Sequence, residues 1–248
     1  MLQNTFLHIP GINKSMETEI WKNNVYSWNE FLENHDQINI KRKEHVCQYI
    51  KKSLQAHQDQ NHNFFINEFP SNEHWRVYRD FKCCFLDIET TGLSKHRNDL
   101  TMIGIYDGQE SKVFVNGKNL HQFPEEIAKY QTIITFNGKC FDLPFLKNKF
   151  PEIDFNHFHI DLRYPLRELG YMGGLKRIEK EVGIQRDDDL QDVDGYEAVR
   201  LWYKYKRGDE NALKLLTKYN IADVENLKTL MDFAFQKLKH KHFFSKIE

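Results

Sequence analysis

The octapeptide Phe85-Leu86-Asp87-Ile88-Glu89-Thr90-Thr91-Gly92 carries an apolar run into two carboxylates one residue apart. On a β-strand, residues i and i+2 project from the same face. Asp87 and Glu89 would then stand side by side, while Leu86 and Ile88 face a core on the opposite side. Adjacent carboxylates repel unless something positive lies between them. A hard divalent cation, with its preference for carboxylate oxygen, is the natural partner. Gly92 lets the chain turn tightly and bring backbone near a ligand. An isolated Asp-x-Glu also describes an ordinary strand that ends in exposed acids; two downstream segments add to it.

The first is Thr135-Phe136-Asn137-Gly138-Lys139-Cys140-Phe141-Asp142. A buried strand ends at Phe136, Asn137-Gly138 turns the chain, and Asp142 opens a helix, where an N-cap is its plain role. The second is Tyr219-Asn220-Ile221-Ala222-Asp223. Tyr219 and Asp223 are four apart on a predicted helix and share a face, interrupting an apolar stripe of Leu215, Leu216, Ala222 and Leu227. Alone, that pair also fits a buried hydrogen bond.

Around these segments the pattern predicts strands over Cys83–Glu89, Leu100–Tyr106, Lys112–Val115, Thr132–Phe136 and His157–Ile160. Helices are predicted over Phe123–Lys129 and Leu143–Lys149, after Gly173-Gly174, after the acidic loop 187–194, and from about Glu210 to Lys237. Strands that meander and then alternate with helices indicate an α/β layer architecture. Residues 1–80 differ, holding six of the twelve histidines. There, Ser15 is expected to cap a short helix, and residues 41–57 read as helical.

In order and content the three blocks resemble the DEDD exonucleases, the DnaQ-like branch of the ribonuclease H-like fold. Asp87 and Glu89 match the first block, Asp142 the second and Asp223 the third. Tyr219, four before the last Asp, with Lys218 at the five-before position, places the resemblance in the tyrosine branch. YprB-type domains are most similar, through Trp75-Arg76, His159-Ile160-Asp161-Leu162, Gly174-Leu175-Lys176 and Gly195 to Trp202. The resemblance covers roughly residues 70–235. It implies a mixed central sheet flanked by helices over residues 71–248, with residues 1–70 as a small, mostly helical extension.

The resemblance further implies a 3′→5′ exonuclease acting on single-stranded DNA or RNA ends with two divalent cations, Mg²⁺ or Mn²⁺. Asp87 would bridge both ions, Glu89 and Asp223 would hold the one that activates water, and Asp142 would help hold the other. Tyr219 would position the water, since a phenol with an ordinary pKa near 10 is a poor base at neutral pH. Thr90, Thr91 and Leu93 would meet the terminal nucleotide. Asp161 would support the metal ligands, and Asn137 would steady the same region or touch the substrate; among the basic residues near these blocks, Lys139 and Lys176 are the candidates to meet phosphates. The competing reading is a catalytically silent ribonuclease H-like module that binds nucleic acid.

Composition bounds these readings. Of 248 residues, 40% are hydrophobic and 29% charged, enough apolar material for a sizeable core. The net charge of −1 gives no whole-molecule attraction for a polyanion, so nucleic acid would need a local basic patch. The four cysteines form no C-x-x-C pair, which argues against a zinc ribbon and fits a reducing, cytoplasmic setting. No apolar run reaches a membrane-spanning length of ~18 residues. The acidic run Asp187-Asp188-Asp189 with Asp192 and Asp194 fails the calcium-loop spacing. His157 and His159 lack further zinc ligands. Ile9-Pro10-Gly11-Ile12 resembles one helix-hairpin-helix-like turn.

Overall fold

The computed structural model describes residues 1–191 and 193–247; Asp192, in the acidic run, lies outside the described residues. The N-terminal part is helical: α1 (Lys14–Lys22), α2 (Trp28–Asn34), α3 (Lys43–Gln58) and α4 (His62–Ile66). The first of these corrects the sequence reading. Asn13, not Ser15, is its N-cap, with extended backbone and a side chain that accepts a hydrogen bond from the Met16 N–H. Asn caps as well as Ser, and Asn13 sits where the chain leaves the Ile9–Ile12 turn.

Five strands follow: β1 (Cys83–Thr90), β2 (Leu100–Tyr106), β3 (Ser111–Val115), β4 (Thr132–Thr135) and β5 (Phe158–Asp161), with α5 (Phe123–Ile127) and α6 (Asp142–Lys149) between them. The sheet order is β3-β2-β1-β4-β5. β2 lies antiparallel to β1 and β3, whereas β1, β4 and β5 run parallel. The chain ends in helices: α7 (Arg163–Glu168), α8 (Leu175–Val182), α9 (Gly195–Lys206) and the 30-residue α10 (Glu210–Lys239). This is the mixed, helix-flanked sheet of the ribonuclease H-like fold.

Strand alternation divides the core. Leu86 and Ile88 of β1 join Ile103, Ile105 and Ile133 under Phe123 and Leu146 on one face. Phe85, Ile134 and Ile160 pack on the other face against Val224, Leu227 and Met231 of α10. Asp87 and Glu89 share this second face, but nearer the end of β1, where apolar cover gives way to carboxylates. A third cluster joins Met102 to α9 and the first half of α10. A fourth fills the N-terminal part and takes in Phe81, Phe158 and Phe243. Among the described residues no helix is long and apolar enough to cross a membrane.

Candidate metal centre

The central strand β1 delivers the first two carboxylates. Asp87 sits opposite Gly104 of β2, and the ladder shifts register between Glu89 and Thr90. Such irregularities re-aim side chains at the end of a strand. α10 crosses this region closely enough that a Cβ on Gly104 would lie 2.2 Å from Asn220 Oδ1. That approach lets Asn220 Nδ2 donate to Asp87 Oδ2 at 3.0 Å. Asp223 lies on the same helix. Asp87, Glu89 and Asp223 each offer an oxygen, all within 4.8 Å of one another.

Asp142 opens α6 as its first residue, but Phe141 holds the cap position and no side chain caps the helix. The N-cap reading is therefore replaced. Asp142 is buried. The preceding turn is tight: Asn137 takes a left-handed φ of 64°, and a Cβ on Gly138 would lie 2.2 Å from Thr135 Oγ1. Asp161, at the end of β5, fixes this turn by accepting from the N–H of Asn137 at 2.7 Å and of Lys139 at 3.1 Å. Cys140 is exposed in the same turn.

Packing four acids together makes ionisation costly. Burial, then the charges of Asp223, Asp142 and Glu89, hold the Asp87 carboxyl well above the usual range. Burial and the neighbouring Asp223 and Asp142 do the same to Glu89. Burial raises Asp142 to about 7, with Asp161 adding to the effect and the backbone N–H groups opposing it. Burial raises Asp223 to about 6 against the pull of Arg186. This donor set, oxygen-only and mutually repelling, with Asp87 half-buried and the other three buried, fits a hard dication, which would relieve the repulsion.

Tyr219 lies one helical turn before Asp223 and is buried; burial, then Asp223, Glu89 and Asp87, raise its pKa. Two cations face its ring: Lys176 Nζ at 5.1 Å and Arg186 Cζ at 5.5 Å from the centroid. Lys176 is engaged further, donating to the carbonyls of Val193 and Leu190. Thr90 Oγ1 donates to the Gly92 carbonyl at 2.7 Å, and Thr91 Oγ1 accepts from the Asp99 N–H at 2.8 Å. Both hydroxyls thus stiffen the loop that carries Leu93, whose side chain is 87% exposed. Asn137 Oδ1 accepts from Arg163 at 2.6 Å, and Lys139 is exposed.

A cavity of about 700 Å³ adjoins the Asn137–Asp142 turn, lined among others by Lys95, Lys139, Lys147, Trp75, Tyr164 and Asp161. His159 is half-buried on the wall of the same cavity, its Nε2 paired with Thr135 Oγ1 at 2.9 Å. His157 Nε2 pairs with the Ile127 carbonyl at 3.3 Å. Three site residues escaped the sequence reading. Asn220 lay in view, one residue after Tyr219, and its contact with Asp87 depends on the bare Gly104. Arg186 and Glu179 look like surface charges beside an acidic run, yet both are buried and Arg186 pairs with Asp223.

Sequence comparison agrees with this architecture. A sequence model described as the RNase_H superfamily matches residues 84–235. The uncharacterized protein YprB of Bacillus subtilis is 31% identical over 59% of this chain, a stretch spanning only 40% of YprB. An uncharacterized protein of Methanocaldococcus jannaschii is 29% identical over 56% of this chain and 88% of its own length. Two solved structures are similar at low identity. Brucella melitensis NrnC with bound Mg²⁺ is 19% identical over 72% of this chain and 83% of that one, with a TM-score of 0.45. Escherichia coli RNase D, an exoribonuclease involved in structured RNA processing, is 17% identical over 72% of this chain and 48% of that one, with a TM-score of 0.43. With the family matched across most of the five-stranded sheet and the helices that carry the carboxylates, the chain belongs to the RNase_H superfamily.

Proposed function

We propose that the chain is a metal-dependent 3′→5′ exonuclease acting on single-stranded DNA or RNA. The observation that carries this reading is the convergence of Asp87, Glu89 and Asp223, each with an oxygen within 4.8 Å of the others, beside the buried Asp142. When bound there, two divalent cations, Mg²⁺ or Mn²⁺, would supply the charge that activates water and stabilises the leaving 3′ oxygen of a phosphodiester. Asp87, Glu89, Asp142 and Asp223 would hold them. Asn220 steadies Asp87 for that task, and Asp161 steadies the turn that leads to Asp142. Tyr219, buried one helical turn before Asp223, would orient the water.

The exposed Leu93 would abut the terminal base, with Thr90 and Thr91 shaping the loop behind it. The lysine-lined cavity gives a polyanion the local positive field that the whole molecule lacks. Lys139 lies on its wall and would meet a phosphate. Lys176, spent on two carbonyls and the Tyr219 ring, is better placed to support Tyr219 than to reach the substrate backbone.

The test is digestion of matched DNA and RNA oligonucleotides labelled at the 5′ or the 3′ end. With Mg²⁺ or Mn²⁺, a 3′ label is expected to leave at once as mononucleotide, while a 5′ label passes through a descending ladder. Asp87→Ala is expected to abolish both. A wild-type chain inactive with either ion, or an Asp87→Ala variant of full activity, overturns the reading in favour of a silent binding module or another nuclease.

A further inference from the structure

Arg186 reaches the carboxylates from outside the three sequence blocks. Its Nε donates to Glu179 Oε2 at 2.7 Å and its Nη2 to Glu179 Oε1 at 2.7 Å, a planar two-point pair. The same Nη2 donates to Asp223 Oδ1. Asn226 Nδ2 holds Glu179 from behind at 3.1 Å. Both charged side chains are almost wholly buried, 6% exposed for Arg186 and 2% for Glu179. Asp223 Oδ2 accepts no hydrogen bond among the described residues.

We propose that Glu179 and Arg186 form a neutral clamp that positions Asp223 for a divalent cation, an inference that rests on the metal-centre reading above. Three physical points support it. First, a lone guanidinium at hydrogen-bond distance from a metal ligand would repel a dication. Glu179 cancels that charge beyond contact range, while the short Nη2–Asp223 bond still fixes the carboxylate. Second, a buried ion pair contributes little net stability and is often matched by apolar residues of similar volume, so this pair is better explained by what it orients. Third, the planar fork makes a two-point pair with Glu179 while its Nη2 also reaches Asp223, a fixed geometry that the rotatable point charge of Lys does not reproduce. The clamp occupies one oxygen of Asp223 and leaves the other for the ion.

The experiment is Mn²⁺ titration of the full chain, stripped with chelator, with free Mn²⁺ followed by electron paramagnetic resonance. Arg186→Gln and Arg186→Lys are expected to raise the Mn²⁺ half-saturation concentration about tenfold, the usual effect of losing a group that orients a metal ligand. Glu179→Gln is expected to weaken binding as well, by leaving the guanidinium uncompensated. A single change strands a buried charge, so the double variant Glu179→Gln/Arg186→Met is measured beside them, with thermal melting to confirm folding. Its binding is also expected to weaken about tenfold, because Asp223 is no longer held. If the folded double variant binds Mn²⁺ as tightly as wild type, the clamp is overturned. If Arg186→Gln binds more tightly, the guanidinium competes with the ion and the proposal is equally overturned. A wild-type chain that binds no Mn²⁺ overturns the metal centre itself, whereas unchanged binding across the variants removes the clamp alone.

Discussion

Tyr219 has its ring against two cations and its hydroxyl among three carboxylates, and it holds its proton more firmly than a free phenol. It is expected to act by placing water. Tyr219→Phe should lower kcat by roughly 10- to 100-fold, at the low end for a group that manages a proton in the transition state, with the Mn²⁺ titration unchanged. Asp142 gives a separate, pH-dependent expectation. Without metal, its carboxyl lies at about 7 when folded against 3.8 ordinarily. The folded state therefore binds more protons than the unfolded state between these values. The resulting stability is fully present at low pH and lost as pH rises through about 7. Asp142→Asn should then melt above wild type at pH 8 in chelator, by on the order of 10 °C, with the gap closing towards pH 4. A constant gap across this range would show that the charge is not the cause. The five residues proposed for the chemistry were named from the sequence because three short blocks together resemble a known family; spacing alone left Asp142 an N-cap and the Tyr219–Asp223 pair a buried hydrogen bond. Arg186, Glu179 and Asn220 were not legible, since their meaning comes from contacts between segments far apart in the chain.

The long helix α10 brings Tyr219, Asn220 and Asp223 to the strand that carries Asp87 and Glu89, and Gly104 is what lets it come so close. Gly104→Ala forces Asn220 away, because a Cβ there would sit 2.2 Å from its Oδ1. The expected cost is about 1–3 kcal/mol of stability from overpacking, read by denaturant titration, together with weaker Mn²⁺ binding. Unchanged stability and binding would mean that the helix yields freely. Elements with a long periodic pattern were legible: β2 was placed residue for residue, and β1, β3 and α10 to within two residues. The short helices α2 and α4, at seven and five residues, are too brief to show an apolar stripe. Their burial depends on Trp28, Phe31 and Phe65 meeting residues elsewhere in the N-terminal cluster. The cap of α1 was misplaced because Asn13, Ser15 and Thr18 are all capping types crowded into one turn.

The sequence divides near residue 70, yet packing crosses that line. Phe81, Phe158 and Phe243 share a cluster with residues 2–69. Glu17 accepts from Thr5 and the Phe6 N–H and faces Arg76, which also pairs with Glu73 at 2.8 Å. Arg76 follows Trp75, a wall of the lysine-lined cavity. Deleting residues 1–70 should therefore strand a buried guanidinium and an aromatic face, giving insoluble protein or a Tm lower by at least about 10 °C. A truncated chain that melts like the whole would show that the extension is dispensable for packing. This coupling was not legible, because composition marks a boundary without saying what covers what. Cys140 is exposed, Cys47 and Cys83 are partly covered and Cys84 is buried. A limiting amount of a maleimide dye should thus attach first to the turn beside Asp142. The native chain carries its own attachment point for a fluorescent reporter in the turn that leads to Asp142.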